Sequence, residues 1–281
     1  MELWKTKKFA KKINAINKLR FEICHKAMGR KSRLAILLLT DDPSSHGYAH
    51  MQKRSFSKME VDVSLVHYPR DIDAETVYED ITKWIEWADG VFLHRPLYPH
   101  LDYSRVLSMI PHTKDIEGLK ETSIGGLVLK RYNVIPATPW SAAIIPMLYG
   151  VSLQGKKAVV VGRSPTVGMP LSILLTHMNA TVTTVHSKTP DISEYTQLAD
   201  IVFVAVGKPR FLKGSMIRDG AYVVDIGIHY IDDEIVGDVD VFSIQEKARA
   251  YTPVPGGVGT LTTALIVSSF LRLLEKGWCK V

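Results

Sequence analysis

Cysteine is nearly absent: the chain has two in 281 residues, Cys24 and Cys279. Two thiols so far apart supply no disulfide framework, and no CxxC pair exists to hold a metal. A lone bridge stays open, but such sparse cysteine fits a reducing cytoplasm better. No uninterrupted apolar stretch reaches the ~20 residues of a membrane span. The longest, from Ala264 to Leu271, is broken by serines. The start, Met-Glu-Leu-Trp-Lys-Thr-Lys-Lys, has no signal-peptide core, and Glu2 and Glu22 count against a mitochondrial presequence. A strong charge imbalance is missing too: 35 Lys and Arg against 29 Asp and Glu leave a net +6, mostly spread along the chain. No nucleic-acid surface is expected from that distribution. The exception is Lys5, Lys7, Lys8, Lys11 and Lys12. Phe9, Ile13, Ile16 and Phe21 accompany them at helical spacing, so these lysines read as the solvated face of a helix. With 46% apolar and 23% charged residues, neither disorder nor a collagen-like repeat fits.

What is present is alternation. Leu34–Leu39, Val61–Val66 and Gly90–Leu93 read as strands, separated by helical stretches over Pro43–Met59 and Glu75–Trp87, with Tyr103–Ile110 as a further helix. Lys114–Asn133 reads as a polar, Gly-containing segment, and Pro136-Ala-Thr-Pro139 precedes a helix starting near Trp140. A second series has strands at Ala158–Val161, Thr181–Val185, Ile201–Val206 and Tyr222–Ile226, and a final helix at Leu261–Leu274. Continuous apolar strands alternating with helices predict an α/β fold with parallel sheets and right-handed crossovers.

The segment Ala158-Val-Val-Val-Gly-Arg-Ser-Pro-Thr-Val-Gly-Met-Pro170 is a strand, a Gly-containing turn and a helix start. Such a junction presents backbone N–H groups to a pyrophosphate. The match to GxGxxG is imperfect, because Ser164 replaces the second glycine and Gly168 comes one residue late. An NAD site usually carries an acid after the second strand, but here His186-Ser-Lys-Thr189 follows Val185. Arg163 sits in the first turn, where a guanidinium can pair with a 2′-phosphate. NADP is therefore favoured over NAD.

Val160-Val-Gly-Arg-Ser-Pro-Thr-Val-Gly-Met-Pro-Leu171 closely resembles the cofactor signature of the methylenetetrahydrofolate dehydrogenase/methenyltetrahydrofolate cyclohydrolase family. The blocks Ala180–Thr189, Val204-Ala-Val-Gly-Lys-Pro209, Val223-Val-Asp-Ile-Gly-Ile228, Val236-Gly-Asp-Val239 and Thr252-Pro-Val-Pro-Gly-Gly-Val-Gly259 resemble it in the same order. The resemblance implies an N-terminal α/β substrate domain and a Rossmann-type NAD(P)-binding domain with a cleft between them. Residues 1–139 plus 258–281 would form the first, and 140–257 the second. It further implies a homodimer, a folate substrate, NADP-linked oxidation of 5,10-methylenetetrahydrofolate and, in most members, hydrolysis of the methenyl product. Gly162, Ser164 and Gly168 would shape the pyrophosphate turn. Arg163 and Ser187 would meet the 2′-phosphate, and Ile228 the nicotinamide side. Pro255, Gly259 and Thr262 would line the space around cofactor and folate.

The folate side departs from the family pattern. Tyr48 matches, but the position four residues later is Gln52 where the family has lysine. Lys53 cannot substitute: an i+5 residue lies ~140° around a helix from Tyr48, against ~40° for i+4. His94 stands for the family's catalytic glutamine, and Glu117 for the aspartate that holds the pterin. Ala137 replaces a cysteine and Thr260 a proline. Tyr48, Gln52, His94 and Glu117 are the candidate catalytic set, with Tyr48 and Glu117 also binding substrate. Hydride transfer needs orientation more than proton transfer, whereas cyclohydrolysis needs acid–base help. Dehydrogenase activity is thus expected, with cyclohydrolase weak or lost. Two further readings stay open: a bifunctional enzyme using His94, and a degenerate paralogue that binds nucleotide as a partner or regulatory subunit.

Arg95 reads as a surface arginine or a contact for a glutamyl tail. His67 and His229 read as satisfied histidines, Trp84 and Trp87 as helix packing, and Asp225 and Asp238 as turn-shaping groups. His94 and His100 bracket a Pro-rich turn without a carboxylate pair, so no metal site is expected.

Overall fold

The computed structural model describes residues 1–231 and 234–278. Cys279, and with it any pairing to Cys24, lies outside the described residues. The chain divides into two compact units, 12–135 with 263–281 and 1–11 with 136–262.

The unit of 12–135 and 263–281 is built on three parallel strands in the order Asp62–His67, Arg33–Leu38, Gly90–Leu93. The central strand is buried along almost its whole length, which is why it reads as Leu-Ala-Ile-Leu-Leu rather than alternating. One face, with Ala35, Leu37 and Leu39, packs on Val77, Ile81 and Ile85 of the helix Ala74–Trp87. Asp side chains start the helices: Asp42 accepts from the Ser45 N–H, Asp73 from Thr76, and Asp102 from Ser104 and Arg105. Pro43 follows Asp42 in the first turn of the helix Pro43–Ser57, where the missing N–H costs nothing.

Phe270, on the C-terminal helix Val258–Trp278, is fully buried against Phe21 and Phe56, with ring centroids 6.0 and 5.8 Å away. That helix is long and apolar enough by composition to match a membrane span. Here it is a core helix, with Ala264, Val267, Leu271 and Leu274 buried. The helix Lys7–Met28 carries the N-terminal lysines on its exposed side, as expected. Its inward residues are Ala10, Asn17, Phe21 and Cys24, while Ile16 is exposed, so the buried stripe is rotated from the expected one. Asn17 explains the shift: its side-chain amide donates to the Ser268 hydroxyl at 2.9 Å, so this polar residue takes an inward place. The segment 114–133, read from sequence only as polar and Gly-containing, includes a helix at Glu121–Val128.

The other unit carries six parallel strands in the order Glu2–Leu3, Ala250–Tyr251, Tyr222–Asp225, Ile201–Val204, Lys157–Val161, Thr181–Val185. Residues 1–11, 136–139 and 258–262, expected in the substrate domain, belong here. Glu2 and Leu3 pair with Ala250 and Tyr251, and Trp4 is fully buried, stacked on Tyr149 and Tyr222 at 5.5 and 5.2 Å. The N-terminal edge strand has two residues, too few to show periodicity. A separate antiparallel pair, His229–Ile231 with Glu234–Val236, lies outside the expected strands as well.

Gly90 sits under the Phe270 ring. A Cβ there would lie 2.7 Å from the ring and 2.8 Å from Ile116. Gly90→Ala should lower stability by about 1–3 kcal/mol through overpacking. Phe270→Ala should cost about 3–5 kcal/mol through the cavity it leaves. Both are read as shifts in urea midpoint at unchanged slope.

Candidate functional site

In the first of these units, the strand Gly90–Leu93 delivers His94. The His94 N–H donates to the Leu37 carbonyl at 2.9 Å, so strand pairing extends one residue further and fixes the side chain. The helix Pro43–Ser57 delivers Tyr48 and Gln52, one turn apart on one face. Gln52 and His94 are buried, and Gln52 Oε1 lies 2.9 Å from His94 Nε2. An amide oxygen can only accept, so Nε2–H donates and the lone pair is on Nδ1. The other end of the amide, Gln52 Nε2, is buried without a partner at normal hydrogen-bond distance, and the Tyr48 phenol is the group it acts on. The Tyr48 ring stands edge-on to His94 at 5.6 Å and to Phe92 at 6.4 Å. Lys53 is exposed, as the helical step requires.

Glu117 reaches the same neighbourhood through a turn organised by Asp115. The buried Asp115 carboxylate accepts from the N–H groups of Glu117, Gly118 and Lys120 at 3.2, 2.9 and 3.0 Å. Its backbone bridges to Val91, which sets Glu117 beside the strand end. The Leu93 amide donates to the Glu117 carboxyl. Asp115 is not among the residues expected from sequence, although Asp-x-x-Gly over 115–118 is a turn signal.

Burial dominates the charge states. It pushes Glu117 up to about 8, with Asp115 adding to the shift and Arg95 opposing it. It lowers His94 to about 4, helped by the positive fields of His46 and Arg95. It also holds the Tyr48 phenol above its ordinary range, reinforced by Glu117 and opposed by Gln52 and Thr263. At neutral pH the imidazole is neutral and Glu117 is largely protonated. Arg95 itself is exposed, with its guanidinium 5.6 Å over the Tyr103 ring.

The nucleotide-type turn lies in the other unit, after the strand Lys157–Val161. Gly162 takes φ +125°, and a Cβ there would lie 2.3 Å from the Ala205 carbonyl oxygen. A Cβ at Gly168 would lie 2.2 Å from the Gly162 oxygen. The turn therefore closes only with glycine at both places, and Gly168 opens the helix Gly168–His177. The Ser164 hydroxyl accepts from the N–H groups of Val167 and Gly168 at 3.2 and 3.4 Å. Ser164, Pro165 and Arg163 face solvent. This narrow turn leading into a helix N-terminus fits a pyrophosphate. Val161 is in register with Val185, so Arg163 and Ser187 each lie two residues beyond paired positions, and both are exposed. The turn after Val185 holds His186, Ser187 and Lys188 and no acid, which fits a 2′-phosphate.

The remaining predicted residues are in the same unit. Ile228 is exposed, and a Cβ at Gly259 would lie 3.1 Å from its Cδ1. Pro255 is exposed and follows a cis peptide bond. Thr262 is buried, its hydroxyl donating to the Val258 carbonyl at 3.0 Å and lying 3.1 Å from Ser141 Oγ. Asp225 and Asp238 are fully buried turn organisers. Asp238 accepts from the N–H groups of Val206, Gly207 and Lys208 and lies 2.7 Å from His229 Nε2. Asp225 accepts from Gly227, Asp238 and Val239, and burial pushes it up to about 7.

Residues 136–277 match the tetrahydrofolate dehydrogenase/cyclohydrolase NAD(P)-binding domain, and residues 4–117 match the catalytic domain of the same family. A Desulfitobacterium hafniense protein described as bifunctional protein FolD 2 is 39% identical over 88% of each chain. A Nitratiruptor protein described as bifunctional protein FolD is 35% identical over 98% of this chain and 99% of its own. The Campylobacter jejuni FolD methylenetetrahydrofolate dehydrogenase/cyclohydrolase structure superposes with a TM-score of 0.89 at 30% identity, over 99% of both chains. A Trypanosoma brucei FolD structure, complexed with NADP cofactor and inhibitor, gives 0.91 at 27% identity, over 99% and 98%.

Glu117 leaves a signature in stability. The unfolded chain releases this proton near pH 4.5 and the folded chain near 8, so ionisation favours unfolding between those values. Glu117→Gln removes that pull. Its stability relative to wild type should rise steadily from about pH 5 to about pH 8 in urea unfolding. A difference that stays constant across the window would show that Glu117 titrates normally.

Proposed function

Because the chain belongs to the tetrahydrofolate dehydrogenase/cyclohydrolase family, we propose that it oxidises 5,10-methylenetetrahydrofolate or a related tetrahydropterin with NADP, and hydrolyses the methenyl product weakly or not at all. The observation that carries the second half is the Gln52–His94 pair: two buried, neutral groups are bonded to one another where the family pattern has a lysine amine.

NADP, when bound, supplies the hydride acceptor. Gly162, Ser164 and Gly168 give its pyrophosphate a preset turn, and Arg163 with Ser187 would hold the 2′-phosphate. Ile228, Pro255, Gly259 and Thr262 would border the nicotinamide and folate, Thr262 through packing because its hydroxyl is already engaged. In the substrate unit, Tyr48 offers an aromatic edge for the pterin, and Glu117 a carboxyl that can accept from the pterin's N–H groups once ionised. Gln52 Nε2 has an unused donor to give to a carbonyl or ring nitrogen. The hydride step itself requires no proton to move, and orientation alone supports it. Ring opening of the methenyl form does need proton traffic, and an amide neither gives up a proton at pH 7 nor carries charge. His94, lowered to about 4, is almost wholly without its second proton at pH 7 and so has no imidazolium to act as the acid.

One observation favours a second reading in which both activities survive, as the names of the bacterial relatives describe. Glu117, raised to about 8, still holds a proton at neutral pH. In that case Glu117, rather than His94, is the donor.

Purified protein should form NADPH from methylenetetrahydrofolate, while methenyl hydrolysis stays near the buffer rate. Hydrolysis well above that rate refutes the first reading, and its loss in Glu117→Gln would support the second. Gln52→Lys should raise hydrolysis if the missing amine is the whole cause. Arg163→Ala should raise KM for NADP about 10–100-fold, the worth of a charge-assisted hydrogen bond of about 1.5–3 kcal/mol, and leave KM for NAD nearly unchanged.

A further inference from the structure

At the carboxyl ends of the strands Arg33–Leu38 and Asp62–His67, three side chains with metal-ligating atoms converge. They are Asp41, just past the first strand, His67, the last residue of the second, and His46, in the first turn of the helix Pro43–Ser57. Their ligand atoms all lie within 4.8 Å of one another. We propose that Asp41, His46 and His67 bind one divalent transition-metal ion of the zinc type.

The geometry argues for this in three ways. First, ligands about 2.0–2.1 Å from a tetrahedral zinc are about 3.4 Å apart. His67 Nε2 and Asp41 Oδ1 already stand 3.4 Å apart. Second, the tautomer of His46 is set by its surroundings. His46 Nε2 lies 2.9 Å from the Thr40 carbonyl, which can only accept, so Nε2 carries the proton and Nδ1 has a free lone pair. A carbonyl behind a histidine is the support that metal-ligating imidazoles have. Third, Asp41 is oriented from below by the buried Tyr98, whose hydroxyl lies 2.8 Å from Asp41 Oδ1 and 2.9 Å from the Tyr68 carbonyl. The His46 and His67 rings are 4.8 Å apart and steeply inclined, so they do not stack.

The ligand set is two imidazoles and one carboxylate, with Asp41 and His67 open to solvent for a water as fourth ligand. Borderline nitrogen and oxygen donors of this kind suit Zn²⁺ and its neighbours rather than Ca²⁺ or Mg²⁺. No motif announces the site, because its members lie 5 and 21 residues apart, on a loop, a helix and a strand end. From sequence, His94 and His100 are the candidate pair instead, and no metal site is expected. A bound ion would pin the first turn of the helix that carries Tyr48 and Gln52 to two strand ends.

The test is titration of the chelator-stripped full-length protein with Zn²⁺ by calorimetry, and with Co²⁺ by visible absorption. One ion per chain is expected. His46→Ala and His67→Ala should each weaken binding at least about tenfold, and Tyr98→Phe, which removes the support of Asp41, by about tenfold. His67 is half-exposed, so its removal leaves the fold intact, checked by circular dichroism. His112→Ala, which alters an exposed histidine outside the set, should bind as wild type. The proposal fails if no saturable binding occurs, if His67→Ala binds as tightly as wild type, or if His112→Ala is as impaired as His67→Ala.

Discussion

Strand direction is the constraint on which the rest depends. Within each of the two larger sheets every neighbouring pair runs parallel, so each strand ends on the same edge as its neighbours. The residues just past those ends then gather without any need for sequence proximity, as is general for open α/β sheets. In one unit this brings together Asp41, His67 and His94. In the other it brings together Gly162, Ser187 and the segment Val206–Lys208. These strand-end residues are the ones for which chemistry is proposed, and the strands themselves supply burial and register.

Buried carboxylates hold the strand-end segments in place. Asp115, Asp225 and Asp238 each accept several backbone N–H bonds, which satisfies donors that a loop would otherwise turn toward water. Burying an acid is costly, and these hydrogen bonds offset it. Asp225 shows the residual tension, with burial raising its pKa to about 7 against three donated N–H bonds. Glu117 lies on the other side of the balance: it accepts from Leu93, but burial prevails and the proton is retained.

Much of this is legible in the chain. Apolar runs such as Leu34–Leu39 and Ala158–Val161 announce buried parallel strands, and the one-turn spacing of Tyr48 and Gln52 places both on one helical face. The Gly162-Arg-Ser turn reads as a phosphate cradle because glycine is needed where two backbones touch. The edge strand Glu2–Leu3 is illegible, since its pairing with Ala250–Tyr251 spans nearly the whole sequence. Ile16 defeats the helical periodicity because Asn17, a polar residue, takes the inward position by bonding to Ser268. Charge states are hidden as well: nothing in the letters His94 and Glu117 says that burial leaves both of them uncharged at neutral pH.

Asp238 has a consequence of its own. One carboxylate grips the segment Val206–Lys208 and His229, which follow different strands. Displacing that carboxylate strands donors of both segments at once, so the order of the two rests on one buried group. The floor of the nucleotide-type edge is therefore a mould cast during folding. Its ordering entropy is lost before any ligand arrives, and binding is spared that loss.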